Sequence, residues 1–205
     1  MGLHQELSGL LVVSMEQAVA APYCGLMLAD AGARVIKIER KEGDFARGYD
    51  RGANGNSVFF SWLNRGKESI AIDLNSDDDE ALLRSMLEKA DVFLHNLAPG
   101  ALARRGFGGD ALREHNSGLI TCEINGYGSS GPGARKKAYD FLVQAESGIC
   151  AINGTREQPA RVGISICDIA SGQTAFSSIL RALIQRGRTG TGIDISIAMF
   201  DVMAD

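Results

Sequence analysis

The chain has 205 residues, of which 45% are hydrophobic and 22% are charged, with a mean hydropathy of −0.02. This is the composition of a soluble globular protein, and no apolar run is long enough to span a bilayer, so we expect no membrane partner. The formal net charge of −4 argues against nucleic-acid binding, which normally needs a basic excess.

Strand-like and helix-like segments alternate along the first half of the chain. Residues 10–14 form a short apolar run typical of a buried parallel strand, and residues 20–31 follow with helical spacing. Residues 34–39 and 69–74 predict two further strands. Residues 76–90 predict an amphipathic helix that begins with a serine cap and an acidic first turn.

The alternation continues through the second half. Strands are predicted over residues 91–95, 119–124 and 193–197, longer helices over 140–150 and 170–186, and shorter helical pieces over 99–104 and 110–115. Strands that alternate with helices indicate an α/β fold. We therefore predict a Rossmann-like, mostly parallel sheet flanked by helices.

Two patterns typical of cofactor or metal sites lack the sequence context that such sites require. Residues 126–131 (GYGSSG) have the spacing of a dinucleotide-binding fingerprint, but a Pro-Gly pair and a basic run follow where a helix is required. His4, His95 and His115 are too scattered for a metal site or a hydrolase triad. We predict no metal and no tightly bound cofactor.

The cysteines and the N-terminus indicate the cellular compartment of the protein. Cys24, Cys122, Cys150 and Cys167 are widely spaced in apolar surroundings, so we interpret them as buried free thiols in a reducing environment. The first ten residues lack the charged start and apolar core of a signal peptide. Together these features predict a cytoplasmic protein.

Asp140 is the candidate for covalent chemistry. It opens a predicted helix directly after a glycine-rich, basic loop, where the helix dipole and free backbone N–H groups favour a charged carboxylate. Such a carboxylate can attack a thioester carbonyl and form an acyl anhydride. The alternative is that Asp140 only caps its helix. The local pattern leaves both interpretations open.

A series of short sequence blocks along nearly the whole chain bears on the two interpretations of Asp140. They cover residues 7–22, 29–40, 43–48, 64–73, 90–102, 105–107, 124–132, 139–148 and 163–172. In this order they resemble the family III CoA transferases of the formyl-CoA transferase type. No single block is decisive, but their joint appearance is specific.

The resemblance implies a mechanism centred on Asp140. The acyl group of a donor thioester would move onto the Asp140 carboxylate, and the released CoA thiolate would attack the anhydride to leave an aspartyl-CoA thioester. An acceptor carboxylic acid would then collect the CoA through a second anhydride. Coenzyme A enters as a thioester substrate, and neither ATP nor a metal is needed.

The resemblance also implies a set of CoA-binding residues. Arg40 and Arg104 match positions that contact phosphate, for which a guanidinium is suited. Some relatives have Lys where Asn125 stands. The complete set is Val19, Ala20, Arg40, Ile72, Asp73, Leu74, Asn75, Asn96, Leu97, Arg104 and Asn125.

Two further expectations follow from the resemblance. Acyl-CoA racemases of the same fold family have His in place of Tyr139, paired with an Asp that corresponds to Asp168. Because tyrosine is a poor general base at neutral pH, transfer is favoured over racemisation. Residues 16–22 and 44–50 look most like the corresponding stretches of relatives that use short dicarboxylic or branched acids as acceptors.

Length is the main departure from the resemblance. Family members continue through a second domain and a C-terminal return, and their subunits interlock. We therefore expect residues 1–205 to form the N-terminal CoA-binding and catalytic domain, which would work as a homodimer or with a partner C-terminal chain. The alternative is a non-catalytic CoA-binding remnant or one half of a split enzyme.

Overall fold

The computed structural model of the protein describes residues 5–134 and 136–205, so His4 lies outside the described residues. Six parallel strands form one sheet in the order β3-β2-β1-β4-β5-β6. They are β1 (Leu11–Met15), β2 (Arg34–Glu39), β3 (Glu68–Ala71), β4 (Val92–His95), β5 (Ile120–Asn125) and β6 (Asp194–Ala198). The predicted Rossmann-like α/β fold is confirmed, with a sheet that is parallel throughout.

Helices connect the strands and cover both faces of the sheet. They are α1 (Ala20–Asp30), α2 (Val58–Asn64), α3 (Asp77–Leu87), α4 (Gly109–Arg113), α5 (Asp140–Glu146), α6 (Ile149–Asn153), α7 (Ile166–Thr189) and α8 (Met199–Ala204). Short 3-10 turns lie at Phe45–Gly48 and Ala103–Arg105. In the described parts of the chain, no helix combines the length and the apolar character needed to cross a membrane.

The prediction of one helix over residues 140–150 is wrong. The chain forms α5 and then α6, separated at Gly148, whose φ of +89° is a left-handed conformation that a helix cannot continue through. The prediction of four buried thiols also needs correction. All four cysteines are free, but Cys150 is only half-buried.

Two apolar clusters form the core, one on each face of the sheet. Successive residues of a strand point to opposite faces, so Val12 packs in the cluster beneath α1 and α7 while Val13 packs in the cluster beneath α3 and α4. Phe93 and Leu94 of β4 divide in the same way. This burial on both faces explains the continuous apolar runs of the strands.

The sheet has a topological switch point between β1 and β4. The chain leaves β1 towards β2 and β3 on one side, and continues from β4 towards β5 and β6 on the other. Connections at the carboxyl ends of β1 and β4 therefore diverge and leave a crevice, which is where open α/β sheets bind ligands. Residues 16–19, which we call the 16–19 turn, follow β1, and Gln17, Ala18 and Val19 of this turn border the crevice together with Asn96.

Candidate active site

Two cavities adjoin at the carboxyl edge of the sheet. The first, which we call the β2 cavity, has a volume of about 430 Å³ and is lined by residues 15–17, 38–44, 72–75 and Leu97. The second, which we call the Asp140 cavity, measures about 1270 Å³ and lies between the start of α1, residues 45–59, the loop after β5, α5 and the start of α7. Gln17 and Leu97 line both cavities, so they mark the junction.

The structure brings most of the predicted site residues to these two cavities. Those that line the β2 cavity are Arg40, Ile72, Asp73, Leu74, Asn75 and Leu97. Those that line the Asp140 cavity are Val19, Ala20, Asn96, Leu97, Asn125 and Asp140. Arg104 is exposed on its 3-10 turn and lines neither cavity.

Arg105 is a functional candidate that sequence reasoning missed. Its guanidinium donates to the Leu74 carbonyl and, at 2.8 Å, to Oδ1 of Asn75. It thereby fixes the loop that closes the β2 cavity. The sequence marked Arg105 only as part of the block 105–107 and of the Arg104–Arg105 pair, and the backbone path decides which member of the pair faces the loop.

Asp140 begins α5 but does not cap it. Tyr139 is the N-cap residue, in an extended conformation and without a side-chain cap bond. The Asp140 carboxylate instead caps α7, because its Oδ2 accepts hydrogen bonds from the backbone N–H groups of Cys167 at 2.8 Å and Asp168 at 3.3 Å. The first N–H groups of a helix lack partners within the helix, and the dipole of the 24-residue α7 favours an anion there.

Gln144 fixes the second oxygen of this carboxylate. Its side chain is fully buried, and its Nε2 donates to Oδ1 of Asp140 at 2.6 Å while its Oε1 accepts from the Val162 N–H at 2.7 Å. Oδ2 accepts two hydrogen bonds and Oδ1 accepts one, so Oδ1 keeps a lone pair for another partner. Asp140 is half-buried and lines the cavity, which makes it a held but reachable carboxylate.

A cluster of buried charges supports the junction of the two cavities from below. Lys37 Nζ bonds Oδ2 of Asp44 at 2.7 Å and lies 3.7 Å from Oε1 of Glu16, which also pairs with Lys67. All four side chains are at most 1% exposed. A Cβ at Gly25 would lie 2.5 Å from Oε2 of Glu16, so α1 needs glycine beside this pair.

Comparison with known proteins identifies the family. Residues 7–205 match the family model described as CoA-transferase family III. The chain belongs to this family. It is 41% identical over 196 residues to the acetyl-CoA:oxalate CoA-transferase of Acetobacter aceti, covering 94% of this chain and 50% of that protein. It is 38% identical over 208 residues to the succinate–glutarate CoA-transferase of Agrobacterium fabrum, covering 97% and 52%.

A solved structure agrees with the family assignment. A CAIB/BAIF family protein from Brucella suis superimposes with a TM-score of 0.91 at 36% identity, covering 98% of this chain and 55% of that one. The chain therefore spans about half the length of the curated relatives and solved structures that it matches.

The glycine-rich segment after β5 needs its glycines for the path of the backbone. A Cβ at Gly126 would lie 2.1 Å from the Cβ of Ala138, so glycine allows the loop to return against β5. Gly128 has a φ of +84°, and its N–H donates to Oδ1 of Asn125 at 2.6 Å. Asn125 thus shapes the loop that leads to Asp140.

Glu39, at the end of β2, occupies the position that binds ribose in dinucleotide-binding folds. Here it accepts hydrogen bonds from Nη2 of Arg47 at 2.7 Å, Oγ of Ser69 at 2.6 Å and the Asp44 N–H at 2.8 Å. Burial opposes its charge, but these donors outweigh burial and lower the pKa of Glu39 to about 2. Through these hydrogen bonds, the Glu39 carboxylate fixes the wall of the β2 cavity.

Aromatic side chains form one wall of the Asp140 cavity. Phe45, Tyr49 and Phe59 line it, with ring centroids 5.7 Å apart for the first pair and 6.1 Å for the second. Burial, with the charges of Asp44 and Asp168, raises the pKa of Tyr49 to about 12. Sequence reasoning missed this wall because neither the turn at Phe45–Gly48 nor α2 was predicted.

Asp168 is a second carboxyl group in the same cavity. Its side chain accepts no hydrogen bond from any residue that the structure describes. Burial, and then repulsion from Asp140, raises the pKa of Asp168 to about 7. Near neutral pH, Asp168 therefore exchanges between a neutral acid and an anion beside the capped carboxylate.

This raised pKa predicts a pH-dependent effect of Asp168→Asn. As pH rises from the ordinary pKa of 3.8 towards about 7, the unfolded chain releases the Asp168 proton before the folded chain does, so the wild type loses stability. The variant lacks this loss. We expect its free energy of unfolding, relative to wild type, to increase between pH 4 and pH 8 in urea titrations. A difference that stays constant over this range would contradict the assignment.

Proposed function

We propose that this family III domain moves CoA from an acyl-CoA donor to a carboxylic acid acceptor through covalent intermediates on Asp140. The observation that carries the proposal is the state of the Asp140 carboxylate, which lines a large cavity with Oδ2 anchored and Oδ1 able to react. The names of the relatives, which specify CoA transfer with oxalate, succinate and glutarate, support the reaction class.

In the first half-reaction, Oδ1 of Asp140 attacks the thioester carbonyl carbon. The carbon–sulfur bond breaks, CoA leaves as a thiolate, and an acyl-aspartyl anhydride remains. The thiolate then attacks Cγ of Asp140. The donor acid leaves with Oδ1, and an aspartyl-CoA thioester is formed.

The anchored oxygen has a role in this second attack. When the thiolate adds to Cγ, negative charge develops on Oδ2, which already faces the N–H groups of Cys167 and Asp168. Backbone donors that are in place before charge develops stabilise a tetrahedral intermediate without reorganisation. The start of α7 would therefore act as an oxyanion hole for intermediates centred on Asp140.

The second half-reaction reverses these steps with a new acid. The acceptor carboxylate attacks Cγ of the aspartyl thioester and displaces the CoA thiolate, giving a second anhydride. The thiolate attacks the acceptor carbonyl carbon, which releases the new acyl-CoA and returns Asp140 as a carboxylate. Over the full cycle one thioester is broken and one thioester is formed, so no nucleotide hydrolysis is required.

The two cavities suggest how CoA lies in the site. The β2 cavity would take the nucleotide portion, and the pantetheine arm would pass Gln17 and Leu97 to reach Asp140. Nε of Arg40 donates to the Gly43 carbonyl at 3.0 Å, which orients the guanidinium. Among the described residues, its two terminal nitrogens have no hydrogen-bond acceptor, so they suit a phosphate.

Arg40→Ala is expected to weaken CoA binding by about tenfold to a hundredfold, since a hydrogen bond to a charged group contributes about 1.5–3 kcal/mol. Calorimetry with free CoA measures the change. Arg34→Ala is the matched control, because Arg34 is exposed and pairs with Glu68 away from both cavities. Equal CoA affinities for the two variants would contradict the placement of the nucleotide.

The acceptor that we propose is a short dicarboxylic acid. Lys136 and Lys137 line the Asp140 cavity. Lys136 pairs with Glu146 at 3.1 Å, whereas Lys137 has no ion pair among the residues that the structure describes. A second acceptor carboxylate could pair with Lys137 while the first attacks at Asp140.

A transfer assay tests the function. Acetyl-CoA or succinyl-CoA is supplied with oxalate, succinate or glutarate, and the new acyl-CoA is measured by chromatography. CoA binding without transfer would instead indicate a CoA-binding part that needs further sequence. Assembly as a homodimer or with a C-terminal partner chain, and a cytoplasmic location, stay predictions.

A further inference from the structure

The Asp44 carboxylate joins three segments of the chain near the junction of the two cavities. Its Oδ1 accepts hydrogen bonds from the Ala46 N–H at 2.9 Å and the Ala18 N–H at 3.3 Å, and its Oδ2 accepts from Lys37 Nζ at 2.7 Å. Ala18 belongs to the 16–19 turn, Ala46 to a 3-10 turn, and Lys37 to β2. The side chain of Asp44 is 1% exposed, so these three donors, and not water, satisfy its oxygens.

The conformation of Ala18 shows why the 16–19 turn needs an external hold. Its φ of +62° is left-handed, which a residue with a Cβ adopts at an energetic cost and keeps only where its surroundings impose it. Asparagine tolerates this conformation through its own polar side chain, but alanine has no such group. The peptide between Gln17 and Ala18 is held from outside, by Asp44 at its N–H and by Nδ2 of Asn96, 2.8 Å from its carbonyl oxygen.

The Asp44 side chain is itself fixed, so it can act as a rigid anchor. Lys37 Nζ also donates to Oδ1 of Asn64 at 3.0 Å and lies 3.7 Å from Oε1 of Glu16, within the buried charge cluster. The main chain of residue 44 is held separately, because its N–H donates to Oε2 of Glu39 at 2.8 Å. A change of the Asp44 side chain therefore releases the two turns while the wall of the β2 cavity keeps its own support.

The two turns that Asp44 ties together border the passage between the cavities. Gln17 lines both cavities, Ala18 and Val19 line the Asp140 cavity, and Phe45 lines that cavity from the 3-10 turn. A pantetheine arm that runs from one cavity to the other passes the 16–19 turn. If the turn leaves its binding-competent conformation, the apparent affinity for the ligand falls in proportion to the fraction of molecules that remain competent.

We propose that Asp44 is a positioning residue, which holds Ala18 in the left-handed conformation and thereby keeps the passage between the two cavities in the shape that admits the pantetheine arm. The inference rests on the proposed placement of CoA across both cavities. It does not depend on which carboxyl group in the Asp140 cavity reacts.

Asp44→Asn removes the hold on Ala18 with little change in size. Asparagine has one acceptor oxygen, and the buried charge of Lys37 claims it, so the NH2 group is left facing the backbone N–H groups. Asp91→Asn is the matched control, because Oδ2 of Asp91 accepts from the Leu11 N–H at 2.8 Å and its Oδ1 pairs with Arg186 at 2.9 Å. Asp91 precedes β4 at the amino edge of the sheet and lines neither cavity.

Asp44→Glu is a second variant, which keeps the charge beside Lys37 and should fold even where Asp44→Asn is too unstable to study. Its carboxylate lies one methylene further from the backbone, so it cannot bond Lys37 and the two N–H groups together. Both variants should therefore lose the hold on Ala18. Urea titrations give the stability of each variant, and binding is measured under conditions where the variants are folded.

Calorimetry with free CoA and with its nucleotide part, 3′-phosphoadenosine diphosphate, separates the passage from the β2 cavity. We expect the Asp44 variants to bind CoA about tenfold to a hundredfold more weakly than wild type, and to bind the nucleotide part with an affinity within about twofold of wild type. Asp91→Asn should change neither affinity. Equal losses for both ligands, or no loss for either in a folded variant, would overturn the proposal.

Ala18→Gly provides a rescue that a purely structural role of Asp44 would not give. Glycine reaches positive φ without the penalty that alanine has, so the turn no longer depends on the Asp44 contact. The double variant Asp44→Asn, Ala18→Gly should bind CoA with an affinity within about threefold of wild type. A double variant that binds CoA as weakly as Asp44→Asn would contradict a role through the left-handed conformation.

Amide exchange keeps the inference separate from the proposed function. The Ala18 amide, followed by NMR without ligand, should exchange at least about tenfold faster in Asp44→Asn than in wild type, whereas Asp91→Asn should speed exchange of the Leu11 amide instead. A wild-type chain that binds neither CoA nor its nucleotide part would refute the proposed placement of CoA. Unchanged Ala18 exchange in Asp44→Asn would refute the positioning role whatever the binding data show.

Discussion

Lys67→Met is expected to lower the free energy of unfolding by about 3–5 kcal/mol. The substitution removes the charge that pairs with Glu16 and leaves that carboxylate buried, with the next cation, Lys37, 3.7 Å away and already bonded to Asp44. An unpaired buried charge loses its hydration without compensation. Burial lowers the pKa of Lys67, and the charge and hydrogen bond of Glu16 oppose this shift.

Two control variants test whether the loss of stability comes from the buried Glu16–Lys67 pair. Glu68→Gln breaks the exposed Arg34–Glu68 pair, whose side chains are 62% and 56% exposed, and should cost at most about 1 kcal/mol. The double variant Glu16→Leu, Lys67→Met removes both buried charges, so we expect it to regain much of the loss. Equal urea midpoints for Lys67→Met and Glu68→Gln would show that the buried pair is not a stabilising element.

Asp140→Asn is expected to reduce CoA transfer by at least about a thousandfold, because an amide oxygen is a far weaker nucleophile than a carboxylate oxygen. Asparagine has the same shape, and its oxygen can still accept from the N–H groups at the start of α7. Free CoA should therefore bind to the variant as it does to wild type. Steady-state transfer and calorimetry measure the two properties separately.

The matched control for this variant is Asp110→Asn. Asp110 lies on α4 with a fully exposed side chain and lines neither cavity, so the same chemical change should leave transfer intact. Transfer by Asp140→Asn at a tenth of the wild-type rate or more would remove Asp140 from the mechanism.

The sheet was the part of the fold that the sequence predicted best. The bounds of β2 agree with the prediction, and those of β1 and β5 differ by one residue at each end. Buried parallel strands are short apolar runs bounded by polar residues, which makes them visible. Helix α2 was missed because VFFSWLN is short and mostly apolar, and only the capping Ser57, which accepts from the Phe60 N–H at 3.1 Å, marked its start.

The contacts of the candidate site were not predictable from the sequence. The resemblance singled out Asp140 as the nucleophile, which stays a prediction, and the structure places Asp140 beside a large cavity. Its hydrogen bond to the Cys167 N–H joins residues 27 positions apart, and the Asn96–Gln17 bonds join residues 79 apart. Such contacts depend on how α5 meets α7 and how β1 lies beside β4. No local pattern encodes them, so the capping of α7 and the buried charge cluster emerge only from the fold.

The most direct test of the account is the mass of the intact chain after rapid mixing with acetyl-CoA and quenching in acid. Covalent catalysis by Asp140 predicts a mass increase that matches an acetyl or CoA group, that maps to the peptide containing Asp140, and that hydroxylamine removes. An adduct on any other residue, or a chain that binds CoA and gains no mass in the presence of donor, would contradict nucleophilic catalysis by Asp140.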